Sequence, residues 1–161
     1  MKSPLTTLCY LERDGKYLMM HRTKKENDLS EGKWLGVGGH FEKNESPEDC
    51  MKREVWEETG LTPTAWQLRG IVTFITDTTE AEYMHLFTVT EWTGKQHDCD
   101  EGDLLWVPKE EVPSLNVWEG DRLFLRLLSE DAPFFSMKLV YEGDRLVEAS
   151  LDGRAYPITK E

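Results

Sequence analysis

The chain has 161 residues, 39% of them hydrophobic, and a formal net charge of −12 at pH 7. That length suits one domain with a sizeable core, read as a single unit over residues 1–161, and leaves little room for a second. The negative balance argues against wrapping a nucleic-acid polymer, and no apolar run reaches membrane-spanning length, whereas a small anionic ligand remains compatible.

Thr6 to Leu11 and Lys16 to His21 read as strands around Asp14-Gly15, a short-range hairpin signal. A polar loop follows from Lys24 to Gly32, a candidate lid, and Trp34-Leu35-Gly36-Val37 then leads into Gly38-Gly39. A helix is predicted next. Ser46-Pro47-Glu48-Asp49 supplies an N-cap hydroxyl, a proline at the first helical position and an acid for a capping box, and Gly60 supplies the stop.

Rotation of about 100° per residue gathers Glu54, Glu57 and Glu58 within an arc of roughly 100°, while Met51 and Val55 point elsewhere. Like charges at this spacing cost a few tenths of a kcal/mol per pair, and acids in a last turn oppose the helix dipole by roughly 0.3–1 kcal/mol each. A solvated acidic face answered by Lys52 and Arg53 is one account. The bare backbone of Gly36 to Gly39, the extra carboxylate of Glu45 and Arg53 as a bidentate orienter favour a hard-cation site instead. Oxygen donors without an adjacent His/Cys set suit Mg2+ or Mn2+ and disfavour structural zinc.

Trp66 to Thr76 and Glu82 to Trp92, rich in aromatic and β-branched residues, predict two long strands with Asp77 to Ala81 as their turn. The acidic segment Gly94 to Gly102 is a loop, and Asp103 to Val107 a strand ending at Pro108, before a short helical turn at Lys109 to Val112. Leu123, Leu127 and Leu128 at helical spacing place a second helix over Asp121 to Glu130. Phe134 to Tyr141 and Arg145 to Leu151 form a terminal hairpin over Glu142-Gly143-Asp144. Strands mixed with two separated helices indicate an α/β fold with a mixed sheet between helical layers.

Cys9, Cys50 and Cys99 are odd in number, widely spaced and lack a C-x-x-C pair, so neither a disulfide framework nor a zinc cluster is suggested, and a reducing cytoplasm is the simplest home. Of the histidines, His21 and His85 fall in strands, where packing or edge hydrogen bonding is the simpler reading. No role is assigned to these, to His40 or to His97.

Gly39, Glu45, Arg53, Glu54, Val55, Glu57, Glu58, Gly60 and Leu61 fill every defined position of G-x5-E-x7-R-E-U-x-E-E-x-G-U, where U is bulky and aliphatic. This segment, 39–61, resembles the Nudix box. The resemblance implies an α/β/α sandwich and a hydrolase that cleaves a nucleoside diphosphate linked to another moiety. It implies catalytic roles for Arg53, Glu54, Glu57 and Glu58, with metal held by those glutamates and a glycine carbonyl, assigned to Gly38. In similar enzymes a glutamate outside the box approaches the metal from a distant loop, a place that Glu101 matches here; otherwise it is an ordinary acid of the run Asp98 to Asp103.

Substrate contacts are read from residue chemistry. Arg22, with Lys24 close behind, follows the second strand, where a cation can reach phosphates; each is also a plausible surface charge, as is Lys25. Trp118 can stack on a base and Asp121 can accept from purine N–H groups, with Phe74 and Leu35 as walls; alternatively Trp118 is a core aromatic and Asp121 a first-turn helix acid. Thr7, the Trp-x-Gly-x-Gly-Gly run ending at Gly39, Trp-x-x-Asp before the last helix and the closing Phe-Phe hairpin resemble the MutT-like 8-oxo-dGTP diphosphatases, which implies substrate contacts from Thr7 and Gly39. Leu35 replaces an asparagine, and Gly120 the first of two acids, found in animal purine-sanitising enzymes. The expectation is hydrolysis of oxidised or other purine nucleoside triphosphates, 8-oxo-dGTP foremost. Alternatives are dinucleoside polyphosphates or ADP-ribose as substrate, a noncatalytic nucleotide sensor, and a metal-binding protein without nucleotide chemistry.

Overall fold

The computed structural model describes residues 2–24 and 28–158; Lys25 and part of the candidate lid lie outside the described residues. The chain opens with a hairpin of β1 (Leu5–Arg13) and β2 (Lys16–Arg22), turned by Asp14 and Gly15 at φ 52° and 75°. Positive φ at both central residues matches the turn to the twist of the flanking strands. A two-residue strand, β3 (Trp34–Leu35), pairs with the end of β2 and was not anticipated from the sequence.

Helix α1 (Pro47–Thr59) is capped as predicted. Asp49 N–H donates to Ser46 Oγ at 3.1 Å, Ser46 N–H donates back to Asp49 Oδ2 at 3.0 Å, and Gly60 closes the far end at φ 82°. The chain then enters β4 (Leu61–Ile75) without a loop, since Leu61 already pairs with Gly94 of β5 (Glu82–Gly94). Both strands run longer than predicted because register shifts between Pro63 and Trp66 absorb the proline within the ladder.

Strand β6 (Gly102–Pro108) lies along the whole of β2, from Lys16 opposite Pro108 to Arg22 opposite Gly102. The helical turn expected at Lys109 to Val112 is a 3-10 turn over Val112–Ser114, displaced to where Pro113 can sit in a first turn. Helix α2 (Glu119–Ser129) begins two residues before the predicted start. Its cap comes from far away: Gly120 N–H donates to Tyr141 Oη at 2.8 Å. The terminal hairpin is β7 (Phe135–Glu142) and β8 (Arg145–Leu151), extended by β9 (Arg154–Ala155).

β1 runs parallel to β5 and β4 parallel to β7, within an otherwise antiparallel sheet ordered β3-β2-β1-β5-β4-β7-β8-β9, with β6 on β2. Alternation along β1 separates two apolar cores. Leu8 and Tyr10 join Phe124, Leu127 and Leu128 of α2, whereas Cys9 and Leu11 join Met51 and Val55 of α1. The helices therefore cover opposite faces, which makes an α/β sandwich with a mixed sheet. Among the described residues no helix is long and apolar enough to cross a membrane.

Candidate active site

The sheet delivers the glycine run to the end of α1. Thr7 N–H donates to the Gly39 carbonyl at 2.9 Å, and Cys9 and Val37 exchange backbone hydrogen bonds. A Cβ at Gly38 would collide with the Thr7 carbonyl, and one at Gly39 would come within 2.6 Å of Glu54 Oε1. Only glycines let β1, this run and the helix approach so closely.

Arg53 organises the acids. Its Nε and Nη2 donate to Glu45 Oε2 and Oε1 at 2.7 and 2.9 Å, and its Nη1 donates to Glu54 Oε1 at 2.8 Å and Glu57 Oε2 at 3.1 Å. The bidentate partner is thus Glu45, and Glu54 and Glu57 are held through the remaining nitrogen. This fork holds the Glu45 carboxyl below its ordinary range.

Glu58 is buried, and Gly38 N–H donates to its Oε2 at 2.8 Å. Burial, then a hydrogen bond with Glu101 and the charges of Glu54 and Glu101, push the Glu58 carboxyl far above the usual range. Burial also raises Glu54, against the pull of Arg53. The second loop therefore brings Glu101 to the box acids across more than forty residues of chain, held by Lys24 N–H donating to its carbonyl at 3.2 Å. Glu57 is half exposed and turned to Arg53.

Among the described residues no three His, Cys, Asp or Glu side chains already stand as a finished metal cluster. The donor set nevertheless fits a hard divalent cation: carboxylates that oppose one another's ionisation would regain their charges around such an ion.

Glu54, Glu101, Arg53, Gly38 and Gly39 line one end of a cavity of about 810 Å3, and Leu35, Phe74, Trp118 and Asp121 line another. Arg22 also reaches it, with Nε 2.8 Å from Asp28 Oδ2 but without aligned hydrogen-bond geometry. Lys24 is drawn elsewhere, to the Cys99 carbonyl at 3.2 Å and Asp103 at 3.6 Å, and does not line the cavity.

Thr7 touches the cavity, but its hydroxyl lies 3.5 Å from Cys50 Sγ, on the α1 side. Strand alternation turns Thr6 to the opposite face, where its buried hydroxyl has no protein partner among the described residues. Trp118 is only 2% exposed, and its ring meets Phe74 at 5.1 Å and Tyr141 at 4.9 Å. It is a wall of the cavity more than an open stacking platform.

Asp121 is 2% exposed, with Oδ2 unpartnered among the described residues. Burial pushes its carboxyl up to about 8, tempered by Lys33 and then Arg122. Its neighbour Gly120 leaves no space for a second acid, since a Cβ there would meet Leu139 Cδ1 at 2.5 Å and Tyr141 Oη at 2.6 Å.

Sequence reasoning missed Met84, Asp28 and Lys33. Met84 was findable, because alternation along β5 puts it on the face of Leu86, a core residue beside Phe74. Asp28 and Lys33 carried no local signal. The histidines are engaged structurally, as with His21 stacked on Trp34 at 4.4 Å.

A family model described as the NUDIX domain matches residues 2–128. The oxidized purine nucleoside triphosphate hydrolase of Danio rerio is 28% identical over 93% of this chain and 95% of its own length. A Nudix hydrolase of Bacillus subtilis, YvcI, is 32% identical over 71% of this chain and 72% of its own. The crystal structure of a MutT protein from Bacillus halodurans superimposes with a TM-score of 0.82 at 28% identity, covering 92% of this chain and 97% of the other.

Proposed function

The chain belongs to the Nudix family, and from that premise we propose that it hydrolyses oxidised or other purine nucleoside triphosphates to the monophosphate and pyrophosphate. The leading substrate is 8-oxo-dGTP, the resident cation Mg2+ with Mn2+ as a substitute, and the role removal of damaged precursors from the cytoplasmic nucleotide pool.

The observation that carries this reading is the buried Asp121, its Oδ2 unpartnered among the described residues and its carboxyl pushed up by burial, at the apolar end of a cavity whose other end holds the glutamates. A protonated carboxyl donates from one oxygen and accepts at the other. In 8-oxo-guanine the O6 acceptor stands beside an N7–H donor, whereas unoxidised guanine has acceptors at both. Asp121 can satisfy the first edge with both oxygens. Such matching selects strongly, because the wrong base leaves a buried polar atom unpaired. Full-length similarity to the Danio rerio hydrolase supports the same substrate class.

At the reacting end, Glu54, Glu57, Glu58, Glu101 and the Gly38 carbonyl are the groups that would hold the cation. When bound, it neutralises the polyphosphate, polarises the phosphorus centre and acidifies a water. The chain's own residues provide the geometry. Arg53 locks Glu45 and Glu54 in one orientation, and the Gly38 N–H fixes Glu58. Arg22 faces the same cavity, where release from Asp28 lets its guanidinium meet a phosphate. Positioning and charge neutralisation then provide most of the acceleration, with no covalent intermediate.

Product analysis with a nucleotide panel in Mg2+ tests the proposal. Expected is release of pyrophosphate from 8-oxo-dGTP with a specificity constant above that for dGTP. Turnover confined to ADP-ribose or dinucleoside polyphosphates would overturn it, and binding without turnover of any member would identify a sensor.

A further inference from the structure

Lys33 is 8% exposed, and its Nζ lies 4.7 Å from the centroid of the Trp118 ring and 3.8 Å from Asp144 Oδ2. Lysines are seldom buried without a partner. Here the carboxylate comes from the turn between β7 and β8, beyond the residues the family model matches. The segment around Lys33 is tied to the one carrying Trp118: Trp34 N–H donates to the Asn116 carbonyl at 2.9 Å, and Trp118 Nε1–H donates to Ser30 Oγ at 3.0 Å. The Lys33 ammonium is therefore held between the Trp118 ring and Asp144, on a segment itself fastened to the one carrying Trp118.

Asp121 follows Trp118 by three residues, on the same wall of the cavity. The groups acting on it are Lys33, Arg122 of its own helix, Tyr10 of β1 and Tyr141 of β7. Arg122 is engaged by the Pro113 and Leu115 carbonyls at 2.7 and 3.3 Å, Arg22 across the cavity is paired with Asp28, and burial keeps both tyrosines neutral. Lys33 is thus the buried positive charge acting on this acid.

We propose that Lys33 is a positioning residue for the base end of the cavity. Seated between the Trp118 ring and the Asp144 carboxylate, it keeps Trp118 against the cavity and sets the field at Asp121, three residues further on the same wall, so that base selection depends on Lys33 as well as on Asp121. Through Asp144 the terminal hairpin takes part in that selection. This inference rests on reading the cavity as a nucleotide site.

The first measurement is made on the nucleotide-free protein, following the Asp121 carboxyl carbon by NMR against pH. Replacing Lys33 by methionine is expected to raise its midpoint by on the order of one pH unit, and Lys33→Arg to leave it in place. Lys33→Gln replaces the methionine variant should that fail to fold. The second measurement is the ratio of kcat/KM for dGTP over dATP against pH. It should follow the same midpoint, shift with K33M, and lose its titration in D121N, where K33M adds no further shift. An unmoved midpoint in K33M, or an equal shift of the ratio in the D121N background, would overturn the inference. A protein showing the NMR coupling but cleaving no purine triphosphate would count against the proposed function and not against the coupling.

Discussion

Two ends of one cavity bury carboxyl groups by opposite means. At the end of α1, Arg53 and the Gly38 N–H meet the acids directly, and Glu54, Glu58 and Glu101 crowd one another. At the start of α2, Asp121 is alone, with one oxygen unpartnered among the described residues and only Lys33 and Arg122 to offset its burial. The crowded end suits capture of a cation, and the solitary end suits a neutral hydrogen-bonding group that reads a base. Burial alone does not decide a carboxyl's role; its neighbours do.

The sharpest way to break this comparison is at the crowded end. Glu58→Gln removes one charge while keeping the shape, and should lower kcat/KM by about a thousandfold or more. The Tm without cation should hold, since burial and the crowding of Glu54 and Glu101 already oppose a charge on Glu58 there. The Tm gain on adding Mg2+ should shrink, because a ligand binding only the folded state stabilises it. A variant retaining full Mg2+ stabilisation and turnover would remove Glu58 from the site.

Arg53→Lys comes next. An ammonium cannot form the fork to Glu45 and also reach Glu54, so kcat/KM should fall by roughly ten- to a hundredfold. Retention of wild-type turnover would show that the bidentate geometry is dispensable.

At the solitary end the expected effect is on stability. The Asp121 carboxyl sits at about 8 in the folded chain, against about 4 when unfolded. Between those values the folded state holds a proton that the unfolded state has lost, so stability falls as pH rises through the window and levels off above it. Asp121→Asn cannot titrate. Its unfolding free energy relative to wild type should improve by up to roughly 1 kcal/mol per pH unit between about 4 and 8. A pH-independent difference in denaturant midpoints would show that Asp121 is ionised in the fold.

The smallest effect is reserved for Lys24, whose ammonium faces Cys99 and the exposed Asp103. Lys24→Met should change kcat/KM by less than about fivefold, in keeping with a surface ion pair. A larger loss, confined to KM, would mean that Lys24 swings into the cavity when nucleotide binds.

The acidic face of α1, its capping box and its glycine stop were legible because they depend on residues at most four apart, where helical geometry determines which side chains meet. The hairpin turn at Asp14-Gly15 and the alternating strands were legible for the same reason. Boundaries were less so: β4 begins at Leu61 because β5 is there to pair with it, and α2 begins at Glu119 because Tyr141 caps it.

By itself the sequence determined which chemistry was on offer: carboxylates gathered on one helical turn, glycines able to approach them, and an acid three residues after a tryptophan at the start of α2. Only the tertiary structure decided which threonine hydroxyl faces which core, which cation sits beside Trp118, and that Asp121 is buried deeply enough to push its carboxyl up. Those outcomes turn on groups brought together by sheet register from separate parts of the chain, and local periodicity carries no information about burial at that range.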